Sequence, residues 1–234
     1  VRVRSALRNA GFYFPRGKVT VNLAPGGIPK EGPVFDLPIA LGILVASGQL
    51  DEGLLKRNMI VGELSLNGSV CAVRGVLPRV IHLAGKRDWS CMIPAANAFE
   101  AQSIEGVSML PVSSLTEAVT GLIGTGTGAK VVGKGGGERP KSRAMTADFA
   151  HVRGQMQAKR GMLVAAAGGH NALMVGPPGV GKTMLARCLP GVMGRLTHAE
   201  AIETSQIHSV AGTLRSSMGL LQEPPFRSPH HSAS

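Results

Sequence analysis

Gly176-Pro-Pro-Gly-Val-Gly-Lys-Thr183 satisfies the pattern Gly-x-x-x-x-Gly-Lys-[Ser/Thr] at every defined position. It follows the apolar run Ala172-Leu-Met-Val175, which predicts a short buried strand. It precedes a helical pattern over residues 184–189 that ends at Pro190-Gly191. Strand, glycine-rich loop and helix in this order are the context in which the pattern forms a phosphate-binding loop. We therefore expect an α/β domain that binds a nucleoside triphosphate.

Each residue type in this loop has a chemical reason. Gly176, Gly179 and Gly181 let the backbone curl so that successive N–H groups point at the phosphates. The helix that follows adds the positive partial charge of its N-terminus. Lys182 places an ammonium against the β- and γ-phosphates, and the Thr183 hydroxyl can ligate Mg²⁺. Lys182 is thus the predicted catalytic residue, Thr183 the predicted metal contact, and ATP with Mg²⁺ the predicted cofactor.

Residues 1–120 alternate strand-like and helix-like patterns, which predicts one α/β domain. The alternation in Val19-Thr-Val-Asn-Leu23 predicts a strand. Helically spaced apolar residues over 36–47, just before Gly48, predict a helix. Asn67-Gly68 predicts a tight hairpin turn. The remaining predictions are strands at 60–64, 70–73, 91–93 and 107–112, a helix at 76–84, and a capping box at Ser114-Leu-Thr-Glu117 that opens a last helix.

Residues 121–147 are glycine-rich and polar, which predicts a flexible linker to a second domain at 148–234. The basic excess lies in the same region. Of a formal net charge of +11, residues 126–160 hold 8 basic and 2 acidic side chains. A basic linker suits contact with DNA, and it suits equally a tether that only connects two domains. Charge alone leaves both interpretations open.

Composition restricts the class of protein. No apolar run approaches the roughly 20 residues that span a bilayer. The chain opens on Val1-Arg-Val-Arg4, with no signal peptide and no initiator Met, so we expect that an upstream portion is missing. Cys71, Cys91 and Cys188 show no Cys-x-x-Cys spacing. This argues for a cytoplasmic location, with no membrane contact, and against disulfides or a structural zinc site.

Segments on both sides of the loop carry a family resemblance. They are Asp148-Phe-Ala-His-Val-Arg-Gly-Gln155, Ala165-Ala-Ala-Gly-Gly-His-Asn171, Ile207-His-Ser-Val-Ala-Gly212 and Pro225-Phe-Arg-Ser-Pro-His-His-Ser-Ala-Ser234. Together with the loop, they resemble the magnesium-chelatase-like AAA+ ATPases, in particular their competence-associated branch (ComM and YifB), over essentially the whole chain. One departure is Pro224, where the family usually has Arg.

The resemblance implies roles that spacing alone does not assign. In AAA+ ATPases the segment before the loop lines the adenine pocket. The implied nucleotide contacts are Val152, Gly154, Gln155, Gly176, Pro177, Pro178, Gly179, Val180, Gly181, Lys182, Thr183 and Met184. For the intact protein the resemblance implies a homo-oligomeric ring, a hexamer. Such a ring would act on single-stranded or branched DNA as a helicase or branch-migration motor in natural transformation and recombination.

The first domain resembles the Lon protease domain through Asn22-Leu-Ala-Pro25, Pro29-Lys-Glu-Gly-Pro33 and Asp36-Leu-Pro-Ile-Ala-Leu41. Lon-like proteases use a Ser–Lys dyad. The corresponding positions here are Val34 and Leu77, and neither side chain can act as nucleophile or base. The implied fold class is α/β, with a proteolytically inactive Lon-protease-like domain followed by the first part of a P-loop AAA+ domain.

Two parts of an ATPase centre are absent after Thr183: an apolar run ending in Asp-Glu, and a candidate arginine finger. The family carries both further downstream, so we expect residues 1–234 alone to bind nucleotide but to hydrolyse it poorly or not at all. We interpret His230 and His231 as part of a hairpin that contacts DNA or a neighbouring subunit, since adjacent strand residues face opposite ways. Two other functions stay open: a metal-chelatase motor subunit that remodels a partner enzyme, and a non-catalytic nucleotide-binding adaptor.

Overall fold

The computed structural model describes residues 1–27, 30, 32–86, 88–124, 131–133, 147–214 and 219–229. The chain divides into two compact units. The first consists of Val1–Glu138 and Ser205–Leu220, and the second of Arg139–Thr204 and Leu221–Ser234. No helix in the described ranges combines the length and the apolar character that crossing a bilayer requires.

The first unit is α/β and contains a mainly parallel sheet. Its elements up to residue 133 are α1 (Arg2–Asn9), α2 (Asp36–Ala46), β1 (Asn58–Ile60), β2 (Glu63–Leu64), β3 (Val70–Cys71), α3 (Val76–Leu83), β4 (Ser90–Pro94), α4 (Ala98–Ala101), β5 (Ser108–Val112), α5 (Leu115–Ile123) and β6 (Val131–Val132). The sheet order is β1-β4-β5-β6, with β1–β4 and β4–β5 parallel and β6 antiparallel to β5. The predicted helices at 36–47 and 76–84 correspond to α2 and α3 and are confirmed.

Strand β4 lies inside the sheet, and all of its residues are buried. Cys91 is in register with Met59 of β1 and with Met109 of β5. A parallel strand that is buried on both faces reads as a continuous apolar run. The run at 91–93 behaves in this way, whereas β5 is only partly buried. Both predicted strands, 91–93 and 107–112, are confirmed with small shifts at their ends.

Helix α2 forms the centre of the core, since Leu37 and Leu44 have no exposed surface. Asp36, its first residue, is a buried carboxylate with two partners. The backbone N–H of Leu64 donates to its Oδ2 at 3.3 Å, and Arg2 Nε lies 2.7 Å from the same atom. A carboxylate at a helix N-terminus is favoured by the helix dipole. The contact therefore joins α1, α2 and β2 at one point.

The predicted hairpin and capping box are confirmed. Strands β2 and β3 pair antiparallel, and Gly68 in the turn between them has φ 88, a conformation that favours glycine. Ser114 Oγ accepts from the N–H of Glu117 at 3.1 Å at the start of α5. Glu117 Oε2 in turn accepts from the N–H of Ser113 at 2.7 Å. Ile60 differs from the prediction, because it belongs to β1 of the parallel sheet.

The predicted strand at 19–23 is wrong. No strand forms there, and Val19, Val21 and Leu23 are exposed. Alternation supplies an apolar face, but a strand also needs a neighbour that completes its ladder of hydrogen bonds. Among the described residues, no strand pairs with this segment.

The stretch predicted as a linker, 121–147, is partly ordered with the first unit. Helix α5 continues to Ile123, and β6 pairs with β5 within this stretch. The N–H of Gly133 also donates to the carbonyl oxygen of Val107 at 3.2 Å. Residues 125–130 and 134–146 lie outside the described ranges. The linker and its boundaries remain a prediction for those residues.

The second unit is built around a short helical turn and the helices that follow it. The turn is Phe149–His151, and the helices are α6 (Met156–Gly168), α7 (Lys182–Val192) and α8 (His198–Ala211), of which α8 passes into the first unit at Ser205. A small buried cluster holds the turn, α6 and α7 together: Phe149, Val152, Met162, Leu185 and Cys188. The Ala- and Met-rich sequence of residues 155–167 predicts a helix, which α6 confirms, and Gly169 ends it with φ 63.

The predicted buried strand at 172–175 is wrong. These residues form no strand, and Leu173 and Val175 are 90% and 87% exposed. A buried parallel strand needs hydrogen-bonded neighbours on both sides. The described part of the second unit contains no strand that could serve as one. Residues 172–175 therefore lead into the loop as a segment that pairs with no described strand.

The helix after the loop runs further than predicted. Pro190 lies inside α7, which ends at Val192. Proline removes one backbone donor, but it stands in the last turn of the helix. The N–H of Met193 still donates to the carbonyl oxygen of Leu189 at 3.0 Å. Pro190-Gly191 therefore marks the last turn of the helix and not its end.

Candidate nucleotide-binding site

The loop 176–183 curls because two of its glycines adopt left-handed backbone conformations. Gly179 and Gly181 have φ 84 and φ 87, values that a side chain disfavours. Gly181 directly precedes α7, and its carbonyl oxygen accepts from the N–H of Leu185 at 3.0 Å in the first helical turn. The glycines that the sequence pattern requires thus occupy the positions that turn the chain into the helix.

Lys182 is the first residue of α7, and its ammonium turns back over the loop. Nζ donates to the carbonyl oxygens of Gly176 and Pro177, both at 2.7 Å. The residue is half-buried, so its charge is held at the surface of the loop. A phosphate oxygen that enters the loop can replace a carbonyl as the acceptor of this charged donor. The ammonium is therefore held over the loop, where it is available as a charged donor.

The other predicted loop contacts are accessible from solvent. Exposed side chains or glycines occupy these positions: Gly176, Pro177, Pro178, Gly179, Val180, Thr183 and Met184. Thr183 follows Lys182 in the first turn of α7, where its hydroxyl can be reached by a hydrated cation. This face of the loop is therefore open to solvent.

Of the three residues implied for the adenine pocket, Gln155 lies at the loop. Its Nε2 donates to the carbonyl oxygen of Val180 at 3.4 Å. Its φ of 56 is unusual for a residue with a side chain, and Gly154 before it has φ 66. Val152 is instead buried in the cluster that joins α6 to α7. Nucleotide contacts of Val152, Gly154 and Gln155 remain predictions.

A cavity of about 470 Å³ lies beside the loop. Its walls include Gln155, Val180 and Lys182 together with the apolar Val164 and Leu173. Mostly apolar walls with a few polar groups at defined points are typical of ligand sites. The arrangement suits a base and sugar in the cavity with the phosphates directed at Lys182.

Lys159 contributes a cation to this unit that no sequence pattern marks. From α6 its ammonium donates to the carbonyl oxygen of Val152. Burial raises the pKa of the Cys188 thiol, and the carboxylate of Asp148 raises it further, whereas Lys159 opposes them. Cys188 therefore stays a neutral thiol and packs as a small apolar side chain. The role of Lys159 depends on how the turn packs against α6, which spacing does not reveal.

The donors of the loop fit a magnesium-bound triphosphate. They are backbone N–H groups, one ammonium and one hydroxyl, and Mg²⁺ commonly combines such a hydroxyl with phosphate oxygens and water. Within the described ranges, no group of three or more His, Cys, Asp and Glu side chains could hold a metal ion by itself. His230 and His231 lie outside those ranges.

Known families match both parts of the chain. The family described as "Magnesium chelatase, subunit ChlI" matches residues 148–234, and "Subunit ChlI of Mg-chelatase" matches residues 1–97. Competence protein ComM of Haemophilus influenzae is 43% identical over 239 residues, which cover 100% of this chain and 46% of ComM. The chain belongs to the magnesium-chelatase-like family, in its ComM/YifB branch.

A second relative from this ComM/YifB branch is the uncharacterized protein YifB of Escherichia coli K12. It is 42% identical over 238 residues, which cover 100% of this chain and 45% of YifB. The chain thus spans about half the length of the curated relatives it matches. The family assignment therefore rests on about half the length of each relative.

About half of this magnesium-chelatase-like chain is also similar to a protease. Lon protease 2 of Bacillus subtilis is 28% identical over 116 residues, which cover 49% of this chain and 20% of that protein. At the positions predicted to correspond to the Lon dyad, Val34 is 7% exposed and Leu77 has no exposed surface. Both apolar side chains are therefore packed inside the first unit.

Proposed function

We propose that this chain is the nucleotide-binding part of an AAA+ ATPase, and that it binds Mg-ATP at the loop 176–183. The observation that carries this is the Lys182 ammonium, which lies 2.7 Å from the carbonyl oxygens of Gly176 and Pro177 at the start of α7. Curled backbone N–H groups, a helix N-terminus and an ammonium together recognise a triphosphate. Lys182 would bind the β- and γ-phosphates, and the Thr183 hydroxyl would complete the shell of Mg²⁺.

The intact protein would work in the cytoplasm as a hexameric motor on DNA, unwinding it or migrating branches during natural transformation and recombination. Two observations support this. ComM, a relative over the whole chain, is named as a competence protein. The chain also carries 25 Lys and Arg against 14 Asp and Glu, and a positive balance favours the DNA phosphate backbone. An arginine from the adjacent subunit would assist hydrolysis, as in other ring ATPases.

The experiment is ATP turnover of the full-length protein without DNA and with single-stranded, duplex and branched DNA. We expect single-stranded or branched DNA to stimulate turnover, and a gel assay to show strand separation or branch migration. Lys182→Ala should abolish ATP turnover and the activity on DNA. Lys18→Ala removes an exposed lysine that is distant from the loop in sequence, and it should retain both activities. Turnover that ignores every DNA would contradict the motor and leave the ATPase. Turnover retained in Lys182→Ala would contradict the site.

The descriptions of the two matching families favour a second candidate, the motor subunit of a metal chelatase. Such a subunit would use the same loop to remodel a partner enzyme instead of DNA. The similarity of the first part to a Lon protease weighs against it. Turnover that is stimulated by a chelatase partner and unaffected by DNA would select this candidate. Nucleotide binding without any turnover in the full-length protein would select an adaptor.

We propose further that the Lon-like first part has no protease activity. Val34 and Leu77 offer neither a hydroxyl nor an amine, and both are buried. A lysine at position 77 would have to bury an ammonium among apolar side chains, which is unfavourable. Incubation with fluorescently labelled casein should release no peptide above the level of a heat-inactivated sample. ATP-dependent release of peptide would contradict this if it persists when inhibitors block the contaminating serine proteases of the expression host.

A further inference from the structure

One part of the first unit comes from a distant part of the sequence. Ser205–Leu220 follows the nucleotide-binding loop and lies within residues 148–234, which match the magnesium chelatase family. It nevertheless belongs to the same compact unit as Val1–Glu138. We call Ser205–Leu220 the docked segment. It contains the end of α8 and the glycine that follows it.

Ser209 of the docked segment caps helix α3. The N-cap residue of α3 is Gly75, which has no side chain to accept from the amides of the first turn. Ser209, which lies 132 residues after Leu77 in the sequence, supplies the missing acceptors. Its carbonyl oxygen accepts from the N–H of Gly75 at 2.9 Å, and its Oγ lies 3.4 Å from the N–H of Leu77. The start of α3 is therefore completed by another part of the chain.

The same hydroxyl reaches a buried carboxylate. Ser209 Oγ donates to Glu100 Oε2 at 2.8 Å, and Asn97 Nδ2 donates to Glu100 Oε1 at 2.7 Å. Asn97 also bonds to both backbone groups of Val73, each at 3.0 Å. Glu100 and Ser209 are 7% and 4% exposed. Because a buried carboxylate needs hydrogen-bond donors, loss of the Ser209 hydroxyl would be unfavourable at Glu100 as well as at α3.

Glycines let the docked segment approach the first unit closely at two further points. A Cβ on Gly212 would lie 2.6 Å from Arg74 Nε, and a Cβ on Gly219 would lie 2.7 Å from Ser103 Oγ. Either substitution would force a neighbour to move. The contact is thus a fitted surface that includes Ser209, and it does not depend on one hydrogen bond.

We propose that the docked segment couples the nucleotide-binding loop to the N-terminal unit, with Ser209 as the coupling residue. The loop leads into α7, and the chain then continues through α8 to Ser209. When the segment is docked, Ser209 caps α3 and donates to Glu100 Oε2; when it is released, both contacts are lost. A nucleotide that favours one of these two states must change the protection of α3, because binding and docking are then linked equilibria. This coupling rests on the nucleotide site proposed above.

The first test is amide hydrogen exchange at Gly75 and Leu77 in the 234-residue chain. Ser209→Ala removes the acceptor of the Leu77 amide and should speed its exchange about 5- to 10-fold, the factor that loss of an N-cap implies, whereas Gly75, whose acceptor is the backbone carbonyl of Ser209, should change less. Ser209→Thr keeps a hydroxyl and should retain most of the protection. The matched control is Ser113→Ala, an exposed serine of the first unit, which should leave both amides unchanged. Unchanged exchange in Ser209→Ala would overturn the capping role.

The second test repeats the measurement with saturating Mg-ATPγS. Exchange at Gly75 and Leu77 should change at least about twofold in the wild type, and the change at Leu77 should be smaller in Ser209→Ala, which lacks the hydroxyl acceptor. Fluorescent-nucleotide binding, measured on the same samples, separates the possible failures. Bound nucleotide with no change at these amides would overturn the coupling and leave the nucleotide site intact. Absence of binding would overturn the nucleotide site and the coupling together, while the capping role is decided by the first test.

Discussion

The Lys182 ammonium donates a 2.7 Å hydrogen bond to the carbonyl oxygen of Gly176, six residues earlier in the chain. The bond holds the ammonium of the first residue of α7 against the first residue of the loop. A hydrogen bond to a charged group contributes about 1.5–3 kcal/mol, which corresponds to roughly 10- to 100-fold in affinity. Because a phosphate oxygen is a stronger acceptor for this donor than a carbonyl, the loop should bind a triphosphate without rebuilding its backbone.

Lys182→Ala should therefore weaken Mg-ATP binding by about 10- to 100-fold, since it removes the only charged donor that the loop pattern places against the phosphates. Titration calorimetry on the 234-residue chain measures this directly. Lys18→Ala, which removes an exposed ammonium of the first unit, should keep the wild-type Kd. An unchanged Kd in Lys182→Ala would show that the phosphates bind elsewhere.

Thr183→Ala should remove most of the gain in affinity that Mg²⁺ gives to ATP. The hydroxyl is the protein ligand that this loop pattern offers to the cation, and alanine has none. Comparing Kd for ATP in Mg²⁺ and in EDTA gives the gain for each variant. Thr183→Ser retains the hydroxyl and should restore the Mg²⁺ dependence. An equal dependence in wild type and Thr183→Ala would exclude this contact.

The site could be predicted from the sequence where its chemistry is local. Gly179 and Gly181 adopt the left-handed conformations that the pattern implies, and Lys182 lies over the loop. The two wrong strands, at 19–23 and 172–175, failed for one reason. Their apolar patterns describe a face, but strand formation depends on a partner that the pattern does not contain.

Contacts between distant parts of the chain were also beyond the sequence patterns. The capping box of α5 joins Ser114 to Glu117 within one helical turn, so its spacing revealed it. The cap that Ser209 provides for α3 joins residues that are 132 positions apart. The start of α3 has no capping motif of its own, because its N-cap residue is Gly75. Only the folded arrangement shows that Gly75, which lacks a side chain, receives its acceptor from α8.

The cysteines should differ sharply in reactivity. Burial raises the pKa of the Cys91 thiol to about 12 from an ordinary 9.0, so at a given pH it carries about 1,000-fold less thiolate, the reactive form. Cys188 is also buried, whereas Cys71 is partly exposed. With Ellman's reagent at pH 8, one thiol per folded chain should react fast, and Cys71→Ser should abolish that phase. All three should react in guanidinium. Rapid reaction of three thiols in the folded chain would contradict the burial.

Helix α8 begins with a capping box whose carboxylate is ionised in the folded state. Both the N–H and the Oγ1 of Thr197 donate to Glu200 Oε2, at 2.8 and 2.7 Å. The N–H of Glu200 lies 3.4 Å from Thr197 Oγ1, which completes the reciprocal pair. Because these bonds favour the charged form, they lower the pKa of Glu200 below its ordinary value of 4.5.

This capping box should make the start of α8 sensitive to acid. A pKa that is lower in the folded than in the unfolded state stabilises the fold above pH 4.5, and the effect is lost as the pH falls through the lowered folded value. An NMR titration should give a Glu200 pKa below 4.5 and faster exchange of the Thr197 amide in acid. Thr197→Val should move that pKa back toward 4.5, while Glu203→Gln, an exposed neighbour on the same helix, should not. If Glu200 titrates at 4.5 in the wild type, its carboxylate does not hold Thr197, and the first turn of α8 must be stabilised by its other contacts.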